Sequence, residues 1–174
     1  SMFFCCPFDS MGATMATYGG QNVGAKKLER VSKGLRDCIL LGASYAVIAF
    51  VIMYFFGDNL AALFIGNAEE QVLANAKIYL IINSALFIPL SLVNIIRFLI
   101  QGMGFSTLAV LAGVFEMAAR TLVGLFLVPR MGFIGVCFAN PLAWISADIF
   151  LIPAYFHVSR KLKKIFGSGE MGGA

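Results

Sequence analysis

Apolar residues run along this chain in blocks of roughly membrane-spanning length, separated by short polar segments. Residues 38–57 carry no charge between Asp37 and Asp58, and residues 78–96 carry none between Lys77 and Arg97, the apolar run continuing to Ile100. Residues 105–129 are apolar except for Glu116 and Arg120, and residues 132–156 except for Asp148. A helix that crosses a bilayer needs roughly 20 apolar residues. The pattern therefore predicts four complete transmembrane helices, at 38–57, 78–100, 105–129 and 132–157. The stretch 1–18 would be ~27 Å long as a helix, barely enough for a ~30 Å hydrocarbon core. It is expected to be the end of a fifth, truncated span. The expected fold class is all-α, a polytopic membrane protein.

Between the stretch 1–18 and the block 38–57, Leu28, Val31 and Leu35 recur at helical spacing while Lys26, Lys27, Glu29, Arg30 and Lys33 fill the rest of the arc. That spacing predicts a short amphipathic helix on the membrane surface. Residues 19–37 are accordingly expected to form a glycine turn followed by this surface helix, and residues 158–174 a basic tail.

Composition supports the membrane reading. Of 174 residues, 60% are hydrophobic and 13% charged, and the mean hydropathy is +0.87. Soluble domains lie nearer roughly 45–50% apolar and about 25% charged. The net charge of +4 is small, and the basic residues cluster at 26–36 and 160–164. Beside long apolar runs such clusters act as anchors against anionic lipid, so the bilayer and not nucleic acid is the expected partner. With the glycine turn and the tail placed inside, the inner segments hold Lys26, Lys27, Arg30, Lys33, Arg36, Arg97, Arg160, Lys161, Lys163 and Lys164, against Lys77 and Arg130 outside. That bias orients both the turn and the tail toward the cytoplasm of a cell membrane.

Little else suggests chemistry at a metal or a nucleophile. Cys5, Cys6, Cys38 and Cys137 form no CxxC pair and have no nearby histidine, so they are expected as buried thiols without metal. Pro7 and Asp9 interrupt the apolar start, and no basic region precedes it, which is unlike a signal peptide. Neither GxSxG nor HExxH occurs, and no enzymatic activity is expected.

The stretch ATYGGQNVGAKK tests a nucleotide-binding alternative. Gly19 and Gly24 have the outer spacing of a phosphate-binding loop, but Ala25 follows Gly24 where that loop has lysine, and no Ser or Thr comes next. Glycine tolerates positive φ, so Gly19, Gly20 and Gly24 are expected to end a membrane helix and turn the chain sharply, with Gln21 and Asn22 satisfying exposed backbone groups.

GATMATYGGQNVGAKKLERVSKG, residues 12–34, resembles the A-T-x-x-GQN-x-GA-x-x-x-x-R-x-x-x-G signature of the multidrug and toxic compound extrusion (MATE) family. Gly20, Gln21, Asn22, Gly24, Ala25 and Arg30 carry the match. GVFEMAARTLVG and GFIGVCFANPLAWISADIFLIPAYF resemble the last two membrane helices of bacterial members. The resemblance implies most of the C-terminal half of a twelve-helix, two-lobed transporter that exchanges small organic cations for Na+ or H+. It implies no other cofactor, and it implies an N-terminal lobe as partner.

Polar residues inside the spans are the candidate site. On a helical wheel Asn83, Asn94, Arg97 and Gln101 fall within about 60° of one another, beside a kink expected at Pro89. This stripe either hydrogen-bonds neighbouring helices or lines a water-filled cavity. Glu116 lies ~18 Å in from Gly104, with Arg120 one turn on in the favourable i,i+4 order. Each charge at that depth costs about 2.5–3.5 kcal/mol. The pair either pins its helix to neighbours or lets Glu116 bind the coupling ion or a cationic substrate. Ala109, Ala112, Gly113 and Gly124 on the same side are expected to pack closely. Asn140, Trp144, Asp148 and Tyr155 share an arc beside Pro141, a carboxylate among aromatic rings that suits an organic cation, or else a packing residue. Glu116, Arg120 and Asp148 are all expected to turn from lipid toward a hollow shared with a further lobe. Secondary transport is the leading expectation. A flippase for lipid-linked precursors and a non-transporting membrane subunit stand as alternatives.

Overall fold

In the computed structural model, which describes residues 2–65 and 70–170, the chain is a helical bundle with no strand among the described residues. The helices are α1 (Met2–Gly24), α2 (Leu28–Ile65), α3 (Glu70–Ala85), α4 (Phe87–Gly102), α5 (Ser106–Leu122), α6 (Val128–Met131), α7 (Phe133–Cys137) and α8 (Ala139–Glu170). Parts of the expected 58–77 connector and of the tail, residues 66–69 and 171–174, lie outside the described residues, as does Ser1. Leu28–Gly57, Ser106–Met131 and Phe133–Phe166 are each long and apolar enough to cross a membrane, and Gln71–Ala85 with Phe87–Gly102, bent by 53°, reaches that length only when the two helices are taken together.

α4 sits at the centre, packed against α1, α2, α5 and α8, and α5 lies along α8. Its sequence explains the position. Leu90, Val93, Ile95, Ile96, Leu99 and Ile100 are buried on all sides of the helix, and a helix apolar all round is stable only when surrounded. α2 is the opposite case. Leu40, Val47, Val51 and Phe55 point outward as a continuous apolar strip, the face expected to meet lipid tails.

Three prolines set the breaks. The bend between α3 and α4 falls at Leu86, and Pro89 then occupies the first turn of α4, where its missing N–H costs least. Phe138 and Pro141 repeat that arrangement between α7 and α8. Ahead of Pro129, residues Val123–Leu127 widen into a π-helical turn, one of the few ways a helix absorbs a disrupted hydrogen-bond ladder without ending. The kink expected at Pro89 is thus displaced to the residue three before it, because the ring clashes with the carbonyl four residues back.

The glycine segment differs from expectation. α1 continues through Gly19 and Gly20 to Gly24, and the positive φ of the turn, 57°, belongs to Lys26. Hydrogen bonds from Ala25 N to Gln21 O and from Lys27 N to Asn22 O close the turn, and Asn22 Nδ2 donates to Tyr18 O at 2.8 Å. Gly19 and Gly20 instead face α4, against Leu99 and the carbonyl of Gly102, while Gly102 faces the backbone of Ala16. They serve close helix approach, the role small residues play between membrane helices. Gly24 has open space around it.

Nor is there a separate surface helix at 28–37. Those residues are the first turns of the 38-residue α2, with Val31 and Leu35 buried in the main core and Tyr18 OH donating to Arg30 O at 3.1 Å. The apolar stripe at 28, 31 and 35 packs on protein because α1 and α8 reach the same level. α8 likewise runs straight through the expected tail as far as Glu170. Lys26, Lys27, Arg30 and Lys163 line one shared groove, so the two basic clusters meet at one end of the bundle.

Candidate functional site

Two polar links join α4 to its neighbours. Asn94 Nδ2 donates to Asp9 Oδ1 of α1 at 3.1 Å. One turn further, Arg97 Nη2 donates to Glu116 Oε1 of α5. Arg120 Nη2 donates to the second oxygen, Oε2, at 3.3 Å. Glu116 is therefore bracketed by two guanidiniums, one from its own helix and one from α4. Its side chain is 10% exposed, that of Arg97 24%, and that of Arg120 43%. The pair expected from i,i+4 spacing is present, and the structure adds a third member that the linear sequence had grouped elsewhere.

This arrangement dissolves the stripe expected along one helix face. Because the chain bends at Leu86, Asn83 belongs to α3 while Asn94, Arg97 and Gln101 belong to α4. Asn83 is buried and donates to Tyr79 O at 2.9 Å and to Cys137 O at 3.5 Å. Cys137 stands four residues before Pro141, so its carbonyl is the one that proline leaves without its helical partner. Asn83 thus closes a gap in the neighbouring helix. Asn140 Nδ2 reinforces the joint by donating to Tyr79 OH at 3.1 Å. Both residues hydrogen-bond between helices. Replacing Asn83 with alanine is expected to cost about 1 kcal/mol, near the ~0.6 average and ~1.7 maximum for interhelical bonds in membranes. The check is a thermal melt in detergent, and an unchanged midpoint would refute the closing role.

Gln101 is exposed at the end of α4. Trp144 is buried in the core, and Asp148, one turn further along α8, is buried with Oδ1 lacking any partner. Of the arc, Trp144, Asp148 and Tyr155 are buried and Asn140 is half-buried, with Tyr155 OH 3.4 Å from Ser32 Oγ of α2. Of the three charged residues expected to face a hollow, only Arg120 is open. Ala109 and Ala112 pack closely as expected, whereas a β-carbon at Gly113 or Gly124 would meet nothing within 4 Å.

Two participants were missed from sequence. Asp9 was noticed only as a break in an apolar run, and Arg97 was assigned to the stripe and to an inner connector. A carboxylate embedded in an apolar block was the available signal for Asp9, since such a residue is functional by default in a membrane. A cleft of about 780 Å³ also opens between α1 and α2, lined by Ser10, Thr14, Tyr18 and Asp37 among others. Its Ser10 and Thr14 hydroxyls donate to their own backbone, to Cys6 O and Ser10 O, which leaves them no donor for a ligand. No cluster of three or more metal-binding side chains occurs among the described residues.

The family model MatE matches residues 1–126. The fold is similar to a solved structure titled as the inward-facing conformation of a multidrug resistance MATE family transporter of the MOP superfamily, with a TM-score of 0.74 at 17% sequence identity. The match covers 89% of this chain and 35% of that one, so the chain spans about a third of the length of that transporter. No curated protein matches it.

Proposed function

Because the chain belongs to the MATE family, whose members are transporters and not enzymes, we propose that it forms part of a secondary transporter that exports small organic cations in exchange for Na+ or H+. In this reading it supplies most of one lobe, and a second lobe closes the substrate path. The basic end, where Lys26, Lys27, Arg30 and Lys163 converge, faces the cytoplasm of a cell membrane, in keeping with the positive-inside bias.

The observation that carries the exchange step is Asp148. It is 7% exposed, sits in a span, and has an oxygen without a hydrogen-bond donor. An ionised carboxylate buried in that way is costly unless it takes up a proton or a small cation. Occupancy of Asp148 would then differ between the two faces of the membrane and bias the lobes between two arrangements. Glu116 is a weaker candidate for that step, since both of its oxygens already accept from arginines.

Asp148→Asn in the full-length protein tests the proposal in proteoliposomes. Gradient-driven accumulation of a cationic dye is expected to fall at least about tenfold, the loss associated with ~1.4 kcal/mol of coupling, while downhill dye exchange persists. Unimpaired accumulation would remove Asp148 from the coupling step.

A further inference from the structure

Two grooves follow one another along the seam between α2 and α8. The first, about 530 Å³, is lined by Lys26, Lys27 and Arg30 and, from α8, by Lys163, against one carboxylate among the described residues, that of Glu29. None of the four basic groups has an ion-pair partner among the described residues. The backbone fixes where they stand. Lys26, at positive φ, donates its N–H to Val23 O at 3.0 Å, and Lys27 N donates to Asn22 O at 2.8 Å. Arg30 is held at its carbonyl by Tyr18 OH. α2 begins in this groove, and the positive end of its dipole adds to the field. Like charges gathered in this way repel one another. A bound anion removes that repulsion.

The second groove, about 340 Å³, opens further along the same two helices, between Leu35, Ile39 and Leu40 of α2 and Phe156 of α8. Ser32 Oγ and Tyr155 OH, 3.4 Å apart, tie the helices together at this level. Arg36 also lines the groove, and a side chain of that length lays its stem on apolar surface while its head reaches the interface. Leu40 and Phe156 are each 56% exposed. From Phe166 in the first groove to Phe156 in the second is ten residues of α8, ~15 Å of helix. A headgroup layer is only ~5–8 Å deep. The seam therefore starts among basic side chains at headgroup level and ends beside hydrocarbon.

We propose that the α2–α8 seam binds a single anionic phospholipid, its phosphate among Lys26, Lys27, Arg30 and Lys163 and an acyl chain along Leu35, Leu40 and Phe156. A charged trough leading into an apolar one is complementary to an anionic amphiphile, and basic pockets between membrane helices are suited to such headgroups. The site requires that α2 and α8 span a membrane. It does not require the exchange step proposed above.

Native mass spectrometry of the full-length protein, with phosphatidylglycerol and phosphatidylcholine titrated separately, tests the headgroup half. One phosphatidylglycerol is expected to be retained at least about tenfold more tightly than phosphatidylcholine. Lys163→Gln is expected to weaken phosphatidylglycerol about fivefold, the equivalent of the ~1 kcal/mol that one basic residue contributes near an anionic surface, and to leave phosphatidylcholine unchanged. Lys26→Asn/Lys27→Gln/Lys163→Gln is expected to erase the preference, with asparagine at 26 because it tolerates positive φ. Glycerophosphoglycerol, the headgroup without its chains, is expected to leave the lipid in place, since the apolar groove contributes to retention. Displacement by it would show a site for soluble phosphate esters and overturn the lipid assignment.

A phosphatidylglycerol with a diazirine on its acyl chain locates the site in the parent protein, without any variant. In nanodiscs the label is expected to concentrate around Leu40 and Phe156, above its level at Val110 and Met117, which are exposed on α5. Even labelling of these faces, or a preference for phosphatidylglycerol that survives the triple substitution, would overturn the proposal. Neither result touches gradient-driven accumulation, so the transport reading stands or falls separately on the Asp148 assay.

Discussion

Glu116→Ala is expected to destabilise the protein by about 3 kcal/mol, the lower end of the ~3–5 kcal/mol seen when one partner of a buried ion pair is removed. The lower end applies because Arg120 is 43% exposed, so solvent or headgroups screen much of its charge. Most of the loss comes from Arg97, whose guanidinium would be left in a span with no carboxylate and with Nε already unpartnered. Glu116→Gln keeps an acceptor and is expected to cost less. Exchanging all three residues for leucine is expected to recover most of the stability, since the penalty lies in the unpaired charges and not in the absence of the bridge. Equilibrium unfolding of the variants in detergent checks the order. A loss under about 1 kcal/mol for Glu116→Ala would show that the bridge is as weak as a surface pair.

Gly102→Val carries the second large effect. A β-carbon at Gly102 would stand 2.6 Å from the Cα of Ala16, well inside contact distance. The obstacle is backbone and cannot rotate away, so α1 and α4 must separate. That contact is the most extensive in the bundle, and separating it strips packing from Met15, Leu99 and Met103 in the core. Overpacking of this sort costs about 1–3 kcal/mol, occasionally more, and the upper part of that range is expected. Gly113→Ala is the control. It lies in α5 with nothing within 4 Å of the new methyl group, and exchanging helical glycine for alanine contributes up to about 1 kcal/mol. Opposite shifts in melting temperature are the expected result, and a Gly102→Val protein as stable as the parent would refute close packing at Ala16.

Both predictions depend on contacts between residues far apart in the chain. Glu116 and Arg120 were recognisable together because a helix places residues four apart on one face. Arg97 was recognisable as an oddity at the end of an apolar run, but its partner lies across the α4–α5 turn, where positive φ at Gly104 reverses the chain. The glycines show the same division. Their presence in GGQNVG was plain, yet glycine serves both sharp turns and close packing, and sequence alone favoured the turn. The structure gives the turn to Lys26 and the packing to Gly19 and Gly20.

The sequence by itself determined that the chain is all-helical, that it carries apolar blocks of membrane-spanning length, and which family it resembles. These follow from hydropathy and local spacing, properties that each segment carries whatever its neighbours are. Only the tertiary structure decided which polar residue meets which. It divided a single predicted stripe into Asn83 facing α7, Asn94 facing α1 and Arg97 facing α5. The physical reason is that a bend at Leu86 and the packing of four helices around α4 set the partners. In hydrocarbon a charge or amide must find its partner inside the protein, and that partner is chosen by how the helices pack and not by distance along the chain.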